Sequence, residues 1–149
     1  MIPIRSADPQ PETGSNSRFT ILCIEDDPAI SRLYELRLQA GGAHVICAGN
    51  GAHGYSLALE SSPDLILLDN ELPDVQGVDL LARLRSHPSI AEVAILMLTG
   101  LDTRAIRRRL LIHGVIDVLT KPINFEQLLC QIARMRSMSG GIAAPNPVT

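Results

Sequence analysis

Lysine is almost missing from this chain. Arginine supplies 12 of the 13 basic residues and Lys121 is the only lysine, which marks one position where a compact ammonium, rather than a planar guanidinium, would serve. A positive surplus is missing as well: the net charge is −3, which argues against a dedicated nucleic-acid binder. No apolar run approaches the roughly 20 residues that a membrane-spanning helix needs. The opening residues, MIPIRSADPQPETGSNS, hold no apolar segment of the kind that signals secretion. The cysteines, Cys23, Cys47 and Cys130, are odd in number and widely spaced, so they do not make a disulfide framework. They read as reduced thiols of a cytosolic protein, with Cys23 inside a buried strand. There is also no internal repeat and no low-complexity block.

What remains is globular. At 149 residues, 46% hydrophobic and 19% charged, the chain can build one domain with a substantial core and is unlike a disordered chain. Residues 1–17 and 139–149, rich in Pro, Ser, Gly and Asn, are expected to be flexible tails around a domain over residues 18–138. Inside it, apolar runs suited to buried strands fall at Thr20–Ile24, His44–Ala48, Leu65–Leu68, Val93–Leu98 and Val115–Leu119. A helical segment follows each. Asp27 and Pro28 form an N-cap and first helical residue, with Ala29, Leu33, Leu36 and Ala40 as an apolar stripe and Gly41 and Gly42 as the stop. The later helices are expected at Ala52–Ser61, Val78–Ser86, Thr103–His113 and Phe125–Met138. Arg107–Arg109 spread too far around their helix to make one basic stripe, and read as a solvated face. Strands alternating with helices predict a doubly wound α/β fold, a parallel sheet covered on both sides.

In such a sheet ligands sit beyond the carboxyl ends of the strands. The residues there are Glu25 and Asp26, Asp69, Thr99 and Lys121; only the second strand ends without a candidate. Three acids facing one ammonium leave a surplus of two negative charges, which calls for a cation. Hard oxygen donors, few in number, favour Mg2+, with Mn2+ an acceptable substitute, over Ca2+ or zinc. Asp27 is left to cap the helix. His44, His53, His87 and His113 lie away from these ends and read as surface or helix residues.

The blocks ILCIEDDP, LILLDNELPDVQG, MLTG and VLTKP, in this order, resemble the signature blocks of the response-regulator receiver domain of two-component signalling. The resemblance runs from about Arg18 to Met138. It implies a flavodoxin-like five-stranded parallel sheet in the order 2-1-3-4-5. It also implies a signalling domain rather than an enzyme, cytoplasmic, that catalyses only its own phosphorylation and dephosphorylation. By position, Asp69 matches the phosphoacceptor, Asp26 a direct metal ligand, Glu25 a ligand through water, and the Glu71 carbonyl the remainder of the shell. Thr99 and Lys121 match the groups that contact phosphoryl oxygens, and Pro122 a position where a cis peptide turns the lysine inward. The implied partners are a histidine kinase or histidine phosphotransfer protein and a downstream target or output domain. A homodimer through the α4-β5-α5 face, meaning the fourth helix, fifth strand and fifth helix, is also implied; nucleic acid and membrane are not. Two positions depart from the family's habit: Val118 stands where an aromatic usually reports the movement of Thr99, and Glu71 brings an acid close to the phosphoryl group.

Other readings compete. GNGAHG, Gly49 to Gly54, matches G-x-G-x-x-G with Asp69 placed 20 residues after Gly49, the spacing of a dinucleotide-binding oxidoreductase. That motif, however, normally follows the first strand of its unit. An aspartyl-phosphate phosphatase of the haloacid dehalogenase type needs an Asp-x-Asp pair after its first strand, whereas here Glu71 replaces the second acid. A receiver used only as a constitutive docking module is the non-catalytic alternative. The chain is expected to be either a stand-alone receiver or a piece of a longer regulator or hybrid kinase.

Overall fold

Each apolar run becomes a short strand whose alternate residues enter opposite cores, so a continuous apolar sequence is needed. The computed structural model describes residues 18–101 and 103–139; the tail expected over 1–17, and all of the one expected over 139–149 except Ser139, lie outside the described residues. The elements are β1 (Thr20–Ile24), α1 (Pro28–Ala40), β2 (His44–Ala48), α2 (Gly51–Ser61), β3 (Leu65–Asp69), α3 (Gly77–Ser86), β4 (Ala94–Thr99), α4 (Arg104–Ile112), β5 (Asp117–Thr120) and α5 (Phe125–Ser139). The five strands pair in parallel in the order β2-β1-β3-β4-β5, the flavodoxin-like arrangement expected. β5 starts at Asp117, two residues later than expected, although Ile116 N already donates to the Ile95 carbonyl of β4 at 2.8 Å.

The sheet divides two cores. Leu22, Ile24, Ile66, Leu68, Ile95, Met97 and Val118 pack under α2, α3 and α4 through Ala58, Leu80, Leu81, Leu84 and Leu110. Ile21, Cys23, Leu65, Leu67, Leu96, Leu98 and Leu119 face α1 and α5 through Tyr34, Leu38, Leu128 and Ile132. Fully burying side chains of this size contributes about 1.5–3 kcal/mol each, and that rigid floor fixes where the strands end.

The α1 stripe differs from expectation. Leu33 and Leu36 are 43% and 49% exposed, and Ala29 and Ala40 are exposed too. The buried face is instead Ile30, Tyr34 and Leu38, an i, i+4, i+8 row anchored by the one aromatic of the helix, which packs on Phe125 of α5 with ring centroids 5.7 Å apart. Asp27 caps α1 as expected, accepting the Ala29 and Ile30 N–H groups at 2.9 and 3.2 Å. Arg107 departs from the solvated reading, since it pairs with Asp117 at 3.2 Å and donates to the Val118 carbonyl at 2.8 Å, tying α4 to β5.

Candidate functional site

Parallel pairing brings the carboxyl ends of β1, β3, β4 and β5 to one rim. The register sets Asp69 beside Leu98 and Thr99 beside Thr120, and the ladder continues past the strands. Glu25 N donates to the Ala48 carbonyl, Asn70 N to Leu98 and Lys121 N to Thr99, at 3.0, 2.8 and 2.8 Å. These bonds leave the side chains of Glu25, Asp69 and Lys121 to converge. The Lys121–Pro122 peptide is cis, and the Lys121 Nζ donates to Asp69 Oδ1 at 2.9 Å and lies 3.6 Å from Glu25 Oε1.

Glu25, Asp26 and Asp69 each offer a carboxylate oxygen within 4.8 Å of the others. Asp69 is 1% and Glu25 3% exposed, whereas Asp26 opens to solvent. Glu25 Oε1 is buried without a hydrogen-bond partner, an expensive arrangement for a carboxylate oxygen. Burial pushes the Glu25 carboxyl up to about 7; the Asp69 charge adds to that, while the Asp27 N–H and Lys121 oppose it. Burial also pulls the Lys121 ammonium down, but the hydrogen bond and charge of Asp69, with Glu25 and Glu71 behind it, hold it above its ordinary value. An orphaned buried oxygen among three hard donors is the signature of a site shaped for a small divalent cation, and the residues present therefore fit Mg2+.

The Glu71 side chain is the part sequence reasoning missed. Its Oε2 accepts the Thr99 hydroxyl at 2.7 Å and the Asn70 amide at 3.2 Å, and its Oε1 accepts the Gly100 N–H at 3.1 Å. Burial raises its pKa, but these bonds and the Lys121 charge outweigh burial and lower it overall. The Glu71 N–H donates to Asp69 Oδ1 at 3.0 Å, folding the turn over the carboxylate. Thr99, fully buried, is thus brought to the rim with its hydroxyl already donating a hydrogen bond to Glu71. Val118 is buried in the core beneath α4 and presents no ring to the site.

The glycine motif is explained by packing. A Cβ on Gly54 would lie 2.5 Å from Ile24 Cδ1, and one on Gly51 would collide with Val75. The N-terminus of α2, where a dinucleotide phosphate would sit, is already filled by Asp74, whose carboxylate accepts the Gly51 and Ala52 N–H groups at 2.8 and 3.0 Å. Gly77 was not singled out from the sequence, yet its Cα faces the backbone of the turn after Asp69: a Cβ there would be 2.6 Å from Asn70 Cα and 2.8 Å from the Asp69 carbonyl oxygen.

The sequence model of the response regulator receiver domain matches residues 21–133. The chain belongs to that family. The receiver domain is 40% identical over 112 residues to the DNA-binding dual master transcriptional regulator RpaA of Synechocystis, covering 75% of this chain and 46% of that protein. It is 30% identical over 138 residues to the probable transcriptional regulatory protein TcrX of Mycobacterium tuberculosis, covering 92% and 55%. The chain spans about half the length of these relatives. Among solved structures, the receiver domain of a DNA-binding response regulator from Colwellia psychrerythraea superposes with a TM-score of 0.75 at 27% identity, over 79% of this chain and 98% of that one. The chemotaxis protein CheY4 of Vibrio cholerae does so with 0.75 at 25% identity, over 80% and 99%. The receiver domain is a signal-transduction module of two-component systems. Among the described residues no helix is long and apolar enough to cross a membrane.

Proposed function

We propose that this receiver domain takes a phosphoryl group onto Asp69 from the phosphohistidine of a kinase or histidine phosphotransfer protein, in the cytoplasm. The observation that carries the reading is the contact of the only lysine with the most buried acid, 2.9 Å from Nζ to Oδ1, beside an unbonded Glu25 oxygen. Asp26 and Asp69 would hold Mg2+ directly, Glu25 through water and Glu71 through its carbonyl; the ion would screen the charge between carboxylate and phosphoryl oxygens.

The chain's own groups supply the rest. Asp69 attacks phosphorus, a P–O bond forms, the P–N bond to the donor imidazole breaks, and the imidazole leaves with the electron pair and takes up a proton. Two anions must meet for this, and the Lys121 ammonium offsets their repulsion. A carboxylate nucleophile has no proton to lose, so the step calls for positioning and charge rather than a general base. Thr99 would then redirect its hydroxyl from Glu71 to a phosphoryl oxygen, drawing the loop after β4 inward and biasing the α4-β5-α5 face. That face carries Leu111, Ile112 and Ile116 at 42%, 78% and 42% exposure, apolar surface suited to a second copy or a downstream partner. With Val118 in place of a ring, the movement of Thr99 must be reported by the α4–β5 tie through Arg107.

The test is incubation with acetyl phosphate and Mg2+, read by intact mass. One added phosphoryl group on the wild type and none on Asp69→Ala supports the reading. Absence of labelling by acetyl phosphate and by every histidine kinase tried would favour a constitutive docking module.

A further inference from the structure

A second reactive group lies on the other side of β1 from the glycine-motif helix. Cys23 of β1 and Cys47 of β2 are direct partners in the parallel register. Paired residues of neighbouring parallel strands project to the same face, here toward α1, where both pack with Tyr34 and Leu38. Both thiols are free. The two differ in access. Cys23 is fully buried, while Cys47 is only partly buried on β2, which is an edge strand.

We propose that Cys23 and Cys47 form a peroxide-sensitive dithiol, Cys47 reacting first and Cys23 closing a reversible intramolecular disulfide. The spacing permits it. Adjacent strands stand about 4.8 Å apart, within the roughly 4.4–6.8 Å between Cα atoms that a disulfide spans. The side chains run alongside each other rather than converging, so the bond forms with a small adjustment of the edge strand and is open to reduction by cellular dithiols.

The chemistry balances with hydrogen peroxide as the oxidant. The Cys47 thiolate attacks one peroxide oxygen, the O–O bond breaks, and Cys47 becomes a sulfenic acid while hydroxide leaves. The Cys23 sulfur then attacks the Cys47 sulfur; the S–O bond breaks, the S–S bond forms, and the hydroxyl leaves with the Cys23 proton as water. Two thiols are oxidised by two electrons and one peroxide is reduced to two waters. Hydrogen bonds from Cys23 and Ser31, with the charge of Arg32, hold the Cys47 thiol down at about 6 against burial and Glu35, which suits the more accessible sulfur to the first step. Cys130 is exposed on α5, away from this register, and serves as an internal control.

The position gives the bond a consequence. It would clip β1 to β2 two residues before Glu25, where Glu25 N already donates to the Ala48 carbonyl. The site is nevertheless independent of phosphorylation and is tested without it.

The folded protein is treated with hydrogen peroxide at neutral pH, free thiols are alkylated under denaturing conditions, and peptides are mapped without reductant. The expected product in wild type and Cys130→Ser is a Cys23–Cys47 cross-linked peptide, lighter by two hydrogens and abolished by dithiothreitol. Cys23→Ser should stop at a Cys47 sulfenic acid that dimedone traps, and Cys47→Ser should leave Cys23 unreacted while Cys130 still oxidises. Both variants are checked for native far-UV circular dichroism, and Cys23→Ala replaces Cys23→Ser if the buried hydroxyl prevents folding. Accumulation of Cys47 sulfinic acid in the wild type without cross-link, a cross-link found only in denatured protein, or oxidation confined to Cys130 would each overturn the proposal.

Discussion

The Thr99 hydroxyl donates to the Glu71 carboxylate at 2.7 Å, and the same carboxylate takes the next backbone donor, the Gly100 N–H, at 3.1 Å. An anion thus occupies donors that an incoming phosphoryl group would also use. On the proposed function, Glu71 and a phosphoryl group on Asp69 would compete, and they would repel one another as well.

Glu71→Ala should therefore raise phosphoryl occupancy. Losing one charge-assisted hydrogen bond from the resting state shifts the balance by about 1.5 kcal/mol, or roughly tenfold. Occupancy at limiting acetyl phosphate, read by intact mass, is the measurement. Glu71→Gln, which keeps an acceptor but no charge, should fall between the two. Unchanged occupancy in both variants would show that the Thr99 bond does not oppose the phosphorylated state.

Lys121 meets Asp69 and Glu25 together. In Lys121→Ala two buried carboxylates lose their counter-charge, and phosphoryl uptake should slow by about 100-fold, the usual scale for removing one electrostatic contact to a transferring group. Lys121→Arg restores the charge but not the compact ammonium, so it should recover little of the rate. Stopped-time labelling with acetyl phosphate separates the two. Full activity in the arginine variant would remove the argument drawn from the single lysine.

Glu25 supplies a pH signature. Its folded pKa, about 7, lies above the ordinary 4.5 because burial disfavours the charged form. A raised pKa stabilises the fold fully below the unfolded value, and that contribution is lost as pH rises through the folded one. Metal-free wild type should therefore lose stability as pH rises from about 4.5 to about 7, by about 1–3 kcal/mol through this group. Glu25→Gln, which keeps the shape without the charge, should flatten that dependence and melt higher than wild type at pH 8 in EDTA. Thermal melts across pH with and without Mg2+ check this, and Mg2+ should raise Tm more in wild type than in the variant.

The strands, their parallel sense and the rim of Glu25, Asp26, Asp69, Thr99 and Lys121 were legible because buried parallel strands must be apolar throughout, which makes each polar residue at a strand end conspicuous; their order came only with the family resemblance. The α1 stripe was not. Leu33 and Leu36 have the right chemistry at helical spacing, and only the partner across the interface, Phe125 beneath Tyr34, decides which row turns inward. Arg85 was equally hidden. Its guanidinium donates to the Ala91, Val93, His113 and Gly114 carbonyls, binding α3 to the two turns that flank β4 and α4, and no local pattern records contacts so distant. The Glu71 side chain was misjudged for a different reason: its position in the sequence announced nearness to the phosphoacceptor, while its direction depended on the loop after β4.

The glycines make the sharpest contrast between a structural and a ligand-binding motif. Gly77 lets α3 begin directly against the turn after Asp69, where its N–H donates to the Asn70 carbonyl at 2.8 Å. In Gly77→Ala the new methyl meets backbone at 2.6 and 2.8 Å, and backbone cannot rotate aside, so the turn carrying Asp69 must shift. A cost of about 1–3 kcal/mol follows from overpacking of this kind, together with slower phosphorylation. Gly54→Ala meets the Ile24 side chain at 2.5 Å and should destabilise comparably while sparing the turn after Asp69, since a side chain can partly repack. Gly49 has nothing within 4 Å of an added Cβ, so Gly49→Ala should leave both Tm and phosphorylation nearly unchanged. A dinucleotide-binding loop would rank these differently, because Gly49 opens the phosphate-approach motif and Gly77 lies outside it. Denaturant unfolding and acetyl phosphate labelling of the three variants give the order, and a Gly49→Ala protein that loses function while Gly77→Ala keeps it would reverse the structural reading of GNGAHG.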